Sequence, residues 1–263
     1  MSPPKVLLYL TLFILCSCSV QPHPTISGAL LTGARRDEIL ASLRQRSEEL
    51  KSLRGLAHVR ALSSDGASSY RQVVAFVIPD RLRLEALPTN GVFTLNLLVL
   101  KGERVRLLDP AAKQALESAD AESLLRSHTK IPVAPADLMS LFAGVLPLRA
   151  LREGEDELRI YNDSASHSYT LVRGDFFEFF RIDQASLGLI EVQIRSRFDD
   201  RLRATLNYAA PKTEYSGLRD IDLNLPEEKT TMSFSWTNVI LNQPVPEKLF
   251  EVEIPADYSV YQK

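Results

Sequence analysis

The side chains best suited to covalent chemistry in this chain are the thiols of Cys16 and Cys18, which lie close to its start. A short basic segment at residues 3–5 precedes an apolar run over residues 6–15, and the small residue Ser17 stands before Cys18. This order of segments is typical of a secretory signal peptide that is cut before Cys18. The alternative is an uncleaved transmembrane anchor, but the apolar run is shorter than the roughly 20 residues that a spanning helix needs.

The four residues Leu15-Cys16-Ser17-Cys18 resemble the lipobox of bacterial lipoproteins. In that motif the last cysteine becomes the mature N-terminus and carries diacylglycerol on its sulfur and an acyl chain on its nitrogen. The resemblance implies that residues 1–17 are removed and that Cys18 is the lipid attachment site. Two or more acyl chains, at about 0.8 kcal/mol for each buried CH₂, hold a protein on a bilayer almost permanently. The residue after Cys18 is Ser19. In such lipoproteins, a residue other than aspartate at this position accompanies sorting to the outer membrane. We therefore expect the protein to lie at the periplasmic face of that membrane.

The composition indicates one folded domain without a strongly charged surface for binding nucleic acid. Hydrophobic residues make up 45% of the chain, which is too many for a disordered protein. The 31 basic and 33 acidic residues are well mixed and give a net charge of −2, so we expect no nucleic-acid partner. Both cysteines fall in the signal region, and the folded domain is therefore expected to contain no disulfide.

The sequence contains no recognisable motif for catalysis or for a cofactor. The histidines are scattered and show no pair at metal-binding spacing; they are His23, His58, His128 and His167. No Gly-x-Ser-x-Gly elbow and no glycine-rich phosphate loop is present. Asp199-Asp200 and the acidic residues 153–157 stand where turns are expected, which favours solvated turns over a catalytic carboxylate pair. We therefore expect a protein that is not an enzyme and that has no metal or cofactor.

Residues 18–34 are rich in Ser, Pro, Thr and Gly, which predicts a flexible tether before a single domain over residues 35–263. Within that domain, apolar residues at helical spacing predict three helices. Gly55 is expected to end the first helix, Asp120 is placed as the N-cap of the second, and Pro135 and Gly144 are placed to bound the third. The predicted helices cover residues 35–53, 121–128 and 135–143.

Most of the remaining chain alternates apolar and polar residues with period two, the pattern of antiparallel strands that have one solvated face. The segments with this alternation are residues 57–61, 70–78, 82–86, 93–99, 104–108, 158–161, 167–172, 176–182, 189–195, 201–208, 218–225 and 232–239. A sheet of about eleven or twelve strands must curl, split or close. With the helices grouped on one face, the sequence predicts an α+β fold in which a curled, unclosed antiparallel sheet is covered by three helices.

Several short segments resemble the LolB family of outer-membrane lipoprotein receptors, within the LolA/LolB-like carrier superfamily. The central signature is carried by Ala121-Glu-Ser-Leu-Leu, Ile131-Pro-Val, Ala136-Asp-Leu and Ala143-Gly. The run Arg81-Leu-Arg-Leu, followed by Pro88 and Gly91, is similar to a strand and loop upstream of that signature. The closing segment Leu249-Phe-Glu-Val-Glu-Ile-Pro resembles the terminal strand of LolA-like carriers.

This resemblance implies a half-barrel with a helical lid over an apolar cavity that accepts acyl chains. The expected cavity and lid residues are Leu82, Leu84, Leu95, Leu97, Leu138, Leu141, Phe142 and Val145. The last four form an i, i+3, i+4, i+7 stripe. Any helix packed on a sheet would show such a stripe, so an ordinary packed core is the open alternative.

The resemblance also implies a membrane-contacting loop between the strands at residues 81–87 and 93–100. The loop would span residues 88–93 and present Val92 and Phe93, an apolar tip that is unusual for a turn. The alternative is that Val92 and Phe93 begin the next strand and point inward.

Two functions remain from the sequence. The first is a LolB-like lipoprotein that binds the acyl chains of lipoproteins or lipids and helps to place them in the outer membrane. Its expected partners are acyl chains, the membrane and a soluble periplasmic carrier, and we expect a monomer. The second is an envelope lipoprotein that uses the same fold to bind glycolipid or to assemble proteins, without insertion activity.

Overall fold

The period-two alternation of the sequence builds one large sheet. The computed structural model describes residues 23–151, 158–174, 177–210 and 218–262; Cys18 and the predicted signal peptide lie outside these ranges. The strands are β1 Ala29–Leu30, β2 Ser52–Ser63, β3 Gly66–Val77, β4 Arg81–Pro88, β5 Asn96–Lys101, β6 Arg104–Asp109, β7 Gln114–Ser118, β8 Leu158–Asp163, β9 Ser168–Arg173, β10 Glu178–Asp183, β11 Leu189–Arg195, β12 Leu202–Tyr208, β13 Ile221–Leu225, β14 Thr230–Leu241 and β15 Ser259–Gln262.

The fifteen strands form one unclosed sheet in the order β1-β8-β9-β10-β11-β12-β13-β14-β2-β3-β4-β5-β6-β7-β15. All neighbouring strands are antiparallel except β7 and β15, which are parallel. The predicted curled, unclosed α+β sheet is confirmed. It is larger than expected, because β1, β7 and β15 were not recognised in the sequence.

The described ranges contain three α-helices, α1 Gly33–Glu49, α2 Ala121–Thr129 and α3 Pro135–Phe142. Helix α1 is shorter than predicted, because Leu50 is already extended and Leu53 is a buried residue of β2. The other two helices start where predicted, and each ends within one residue of the predicted position. The amide of Ser123 donates to the Asp120 carboxylate over 2.9 Å at the start of α2. Pro135 lies in the first turn of α3, and Gly144 follows that helix with a left-handed φ of 66°.

The two faces of the sheet are covered differently. The helix face is the one on which the helices pack, and buried side chains from α1, α2, α3 and the strands form a single cluster there. The outer face is covered over β5–β7 by the C-terminal segment, where Phe250 packs against Leu97, Val99 and Leu108. The predicted terminal strand at residues 249–255 is wrong. Leu249 and Phe250 belong to a 3-10 helix, and the last strand begins later, at Ser259.

None of the helices in the described part of the chain is both long and apolar enough to cross a bilayer.

Candidate functional site

Helix α3 lies flat on the sheet with its apolar stripe buried. Leu138, Leu141, Phe142 and Val145 all belong to the cluster on the helix face. The Phe142 ring meets Phe234 of β14 edge-on, with 5.9 Å between the ring centroids. The stripe therefore contacts strand side chains directly.

A hydrogen bond ties the end of α3 to the sheet. The buried hydroxyl of Tyr208, on β12, donates to the main-chain carbonyl of Leu141 over 3.0 Å. That carbonyl also accepts from the Gly144 amide over 3.0 Å, so the phenol is a second donor to it and links the end of α3 to β12. Burial raises the pKa of Tyr208 and keeps the hydroxyl a donor.

Of the four leucines predicted to line the cavity from β4 and β5, the structure places only two, Leu82 and Leu84, on the helix face. Leu82 and Leu84 stand opposite Leu100 and Leu98 in the strand register, and all four lie on the helix face. Leu97 points to the outer face and packs with the cluster around Phe250. Leu95 lies in the loop before β5 and is partly exposed.

The prediction that Leu95 and Leu97 line the same face as Leu82 and Leu84 is therefore wrong. Residues 97–100 are all apolar because both faces of β5 are covered, so this run carries no alternation that would reveal the register. Strand β5 starts at Asn96, three residues later than predicted. Its helix face carries Leu98 and Leu100, so the alternation is shifted by one residue from the predicted one.

The loop between β4 and β5 presents its apolar tip to solvent. Val92 is 92% exposed and Phe93 is 62% exposed, and both precede β5. The loop is braced from β3: Arg71 donates to the carbonyls of Gly91 and Pro88, and the hydroxyl of Thr89 donates to the Ser69 carbonyl over 3.1 Å. The two side chains are thus held outward by a fixed loop and are not core residues of a strand.

A buried ionic cluster, not predicted from the sequence, joins α3 to β9 and β10. Arg149 Nε lies 2.5 Å from Asp137 of α3, and its Nη2 lies 3.0 Å from Glu178 of β10. Arg173 of β9 lies 3.2 Å from the other oxygen of Glu178. Burial raises the pKa of Asp137, because desolvation of the carboxylate outweighs the attraction of Arg149. The members are up to 41 residues apart in sequence, and no local pattern links them.

Beside this cluster a pocket of about 620 Å³ opens between the α2–α3 segment and the ends of β10–β12. Its walls include Arg126, Lys130, Val133, Glu178 and Ile194. The walls thus combine charged and apolar side chains, which suits a polar group attached to an apolar one. No group of His, Cys, Asp and Glu side chains that could hold a metal ion occurs within the described ranges.

A close contact fixes β14 against β2 under the helices. The indole of Trp236 is buried over Gly55, and a Cβ added to Gly55 would lie only 2.7 Å from Cζ3 of that ring. The prediction that Gly55 ends a helix is therefore wrong. Gly55 lies in β2 and leaves room for an aromatic ring on the neighbouring strand.

No protein-family model matches the chain, and no curated protein is similar to it in sequence. Solved structures are similar in fold. A DUF1329 family protein from Desulfovibrio piger is 13% identical with a TM-score of 0.59, and the match covers 84% of this chain and 98% of that one.

Two further structures carry lipoprotein-related names. A LolA superfamily protein from Nitrosomonas europaea is 16% identical with a TM-score of 0.52, and the match covers 81% of this chain and 97% of that one. A domain from Vibrio parahaemolyticus, described as an outer membrane lipoprotein-sorting protein, is 11% identical with a TM-score of 0.51 over 83% and 97% of the two chains. At such identities the likeness establishes the fold alone: this chain has the architecture of LolA-superfamily and DUF1329 proteins.

Proposed function

We propose that this protein is an outer-membrane lipoprotein that receives acyl chains between its helices and the helix face of its sheet, and that it passes them to the bilayer. Lipid on Cys18 would hold it at the periplasmic face, a location supported by the segment Leu15-Cys16-Ser17-Cys18 and by Ser19. The name of the Vibrio parahaemolyticus neighbour, a lipoprotein-sorting protein, supports lipoproteins as cargo.

The observation that carries this proposal is the way short helices cover the apolar face of an unclosed sheet. Helices α2 and α3 have nine and eight residues, fewer than the roughly 12–15 that an isolated helix needs to be stable in water. They therefore depend on the sheet for their structure. An acyl chain offers both surfaces the same apolar contact that they now give each other, so separation of the helices from the sheet costs little once the chain is in place.

No covalent chemistry is needed for such a transfer. Each buried CH₂ contributes about 0.8 kcal/mol, so a long acyl chain supplies enough free energy to displace side-chain contacts of the lid. The exposed tip at Val92 and Phe93 would touch the membrane while the site empties. The bilayer interior and the site between the helices and the sheet are both apolar, so transfer of the acyl chain is reversible. Its direction is set by the supply of cargo.

A specific observation favours a second function. The pocket beside α3 has walls of both charges, including Arg126, Lys130 and Glu178. Such walls could hold the polar part of a glycolipid or a segment of a protein partner, in an assembly protein that does not insert cargo.

The test compares two leucines of equal size on opposite faces. Leu141→Ala removes a contact of the lid, whereas Leu97→Ala removes a buried side chain of the outer face. Each core truncation can cost about 2–5 kcal/mol of stability. Uptake of a fluorescent fatty acid is measured at a temperature where circular dichroism shows both variants to be folded. We expect lower uptake for Leu141→Ala alone; equal uptake by both variants and the wild type would contradict the proposal.

A further inference from the structure

Antiparallel pairing brings alternate connections to the same end of the strands, and we call four neighbouring connections at this end the loop rim. It comprises the β11–β12 turn at residues 196–201, the β13–β14 turn at 226–229, the β2–β3 turn at 64–65 and the β4–β5 loop at 89–95. The register confirms the arrangement, since the start of β12 stands beside the end of β13 and the start of β14 beside the end of β2.

Exposed apolar side chains concentrate at the loop rim. Of the nine large apolar residues that are exposed in the described part of the chain, four lie there, Val92, Phe93, Leu95 and Phe198, and Leu62 lies next to the rim at the end of β2. At the opposite end of the strands, Ile240 near the end of β14 is exposed, and the described turns carry none of the nine. Such a concentration at one end marks an interaction surface, because singly scattered residues would be spread over both ends.

Phe198 is the most exposed of these residues, and its turn is built to present it. The hydroxyl of Ser196 accepts a hydrogen bond from the Phe198 amide at 3.2 Å, and the Ser196 carbonyl accepts one from the Asp200 amide at 3.0 Å. The Asp199 carboxylate accepts from the Arg201 amide at 3.3 Å. The polar side chains of the turn are therefore held within it, while the phenyl ring points to solvent.

The carboxylates of this turn lie beside arginine side chains, with Arg195 at 3.7 Å from Asp200, which lowers the repulsion between the turn and a surface that carries phosphates. Asp199 lies 3.1 Å from Arg203, and Arg203 also contacts Glu227 of the next turn. Asp200 lies 2.8 Å from the Nε2 atom of His23. The tip therefore presents an aromatic ring among paired charges, a composition that fits the interface of a bilayer.

The contact between His23 and Asp200 also places the start of the described chain at this turn. Cys18 is five residues before His23, and an extended chain spans at most 3.3–3.6 Å per residue, so the intervening segment can reach no farther than about 18 Å. Any lipid on Cys18 would therefore bring the membrane close to the turn that carries Phe198.

We infer that the loop rim docks on the bilayer at two points, through Phe198 in addition to the tip at Val92 and Phe93, so that one end of the half-barrel faces the membrane. This deepens the proposed function and rests on its lipid anchor. The two tips are separated by the β13–β14 and β2–β3 turns, so together they fix an orientation that a single tip leaves free.

The test uses the full lipidated chain on vesicles of phosphatidylethanolamine and phosphatidylglycerol. The chain has only two cysteines, Cys16 and Cys18, so a cysteine introduced in the domain is the sole free thiol after processing. Phe198→Cys is labelled with an environment-sensitive fluorophore. The matched control is Ala185→Cys, in an exposed turn at the opposite end of the strands, and Val92→Cys reports the first tip.

We expect a blue shift and quenching by doxyl-labelled lipid for the labels at 198 and 92, and neither effect at 185. A label at 198 that stays in water, on protein that floats with the vesicles, would overturn the second contact and leave the proposed function intact. Equal shifts at 198 and 185 would indicate a contact without orientation, or a protein partner in its place, and would also overturn it. If the protein does not float, the lipid anchor and the docking both fail.

Discussion

The hydroxyl of Tyr208 reaches from β12 to the carbonyl of Leu141 at the end of α3, over 3.0 Å. This bond is one of the few polar contacts between the lid and the middle of the sheet, where most other contacts are apolar. Further polar connections are the bond from the Leu189 amide to the Gly144 carbonyl, over 3.0 Å, and the ion pairs of Arg149 with Asp137 and Glu178 at the side. The lid is therefore fastened at definite points, and each side-chain contact among them can be removed without changing the apolar surface.

Tyr208→Phe should loosen α3 while leaving the ring in place. The loss of one intramolecular hydrogen bond costs about 0.5–1.5 kcal/mol of stability. The Leu141 carbonyl keeps its bond from the Gly144 amide but loses its link to β12. We expect faster hydrogen exchange of the α3 amides and faster uptake of fatty acid. Tyr261→Phe, at an exposed site on β15, is the control and should change neither. Unchanged exchange in α3 would contradict a fastening role for Tyr208.

Gly55→Ala should destabilise the domain, because the new Cβ would lie 2.7 Å from the ring of Trp236. Overpacking of this kind typically costs about 1–3 kcal/mol, measured as a lower denaturant midpoint. The control is the same change in a Trp236→Leu background, where the ring is absent. If the cost of Gly55→Ala is the same in both backgrounds, the contact with Trp236 is not its cause.

The stability of the Asp137→Asn variant should increase relative to that of the wild type as the pH rises. Burial raises the pKa of Asp137 in the folded state, so its carboxyl favours folding most below the unfolded pKa, and that contribution is lost as the pH rises through the folded pKa. Thermal unfolding from about pH 4 to about pH 7 measures the difference between the two proteins.

The control for that series is Asp163→Asn, because the pKa of Asp163 is shifted in the opposite direction, downward. Hydrogen bonds, the first of them from Ser27, lower the pKa of Asp163 to about 2. Its contribution is present above the unfolded pKa and lost as the pH falls toward 2, so the wild type should lose its advantage over this variant only in acid. A difference for Asp137→Asn that is constant with pH would contradict the burial argument.

Val92→Glu and Phe93→Glu should leave folding and anchoring unchanged, because both side chains are exposed. A side chain of this size contributes roughly 1.5–3 kcal/mol when it is buried in apolar surroundings, enough to orient the protein but too little to anchor it. We expect transfer of a fluorescent fatty acid from the protein to liposomes to be abolished. Normal transfer by both variants would favour passive binding over insertion.

The sequence predicts most of this sheet because alternation is visible wherever one strand face is solvated. It misses β1 because that strand has two residues, and β7 and β15 because five and four residues show too little alternation. The register of β5 was wrong for a different reason. The C-terminal segment covers the outer face of that strand, so Leu97 and Leu98 are both buried and look alike in sequence.

The candidate site was predictable only where its parts are local. The stripe from Leu138 to Val145 follows from helical spacing. The contacts of Tyr208 with Leu141 and of Arg149 with Glu178 join segments that are distant in the chain, so only the fold reveals them. Phe198 did carry a signal, since an aromatic residue directly before Asp199-Asp200 is unusual in a turn.

The central claim is that acyl chains bind on the helix face. It is tested most directly by photo-crosslinking the full chain with a diazirine fatty acid and locating the modified residues by mass spectrometry. We predict modification of α3 at Pro135–Phe142 and of β12 near Tyr208, and loss of these products in the presence of excess unlabelled fatty acid. Modification confined to the C-terminal segment around Phe250 on the outer face, or labelling that excess fatty acid does not suppress, would contradict the claim.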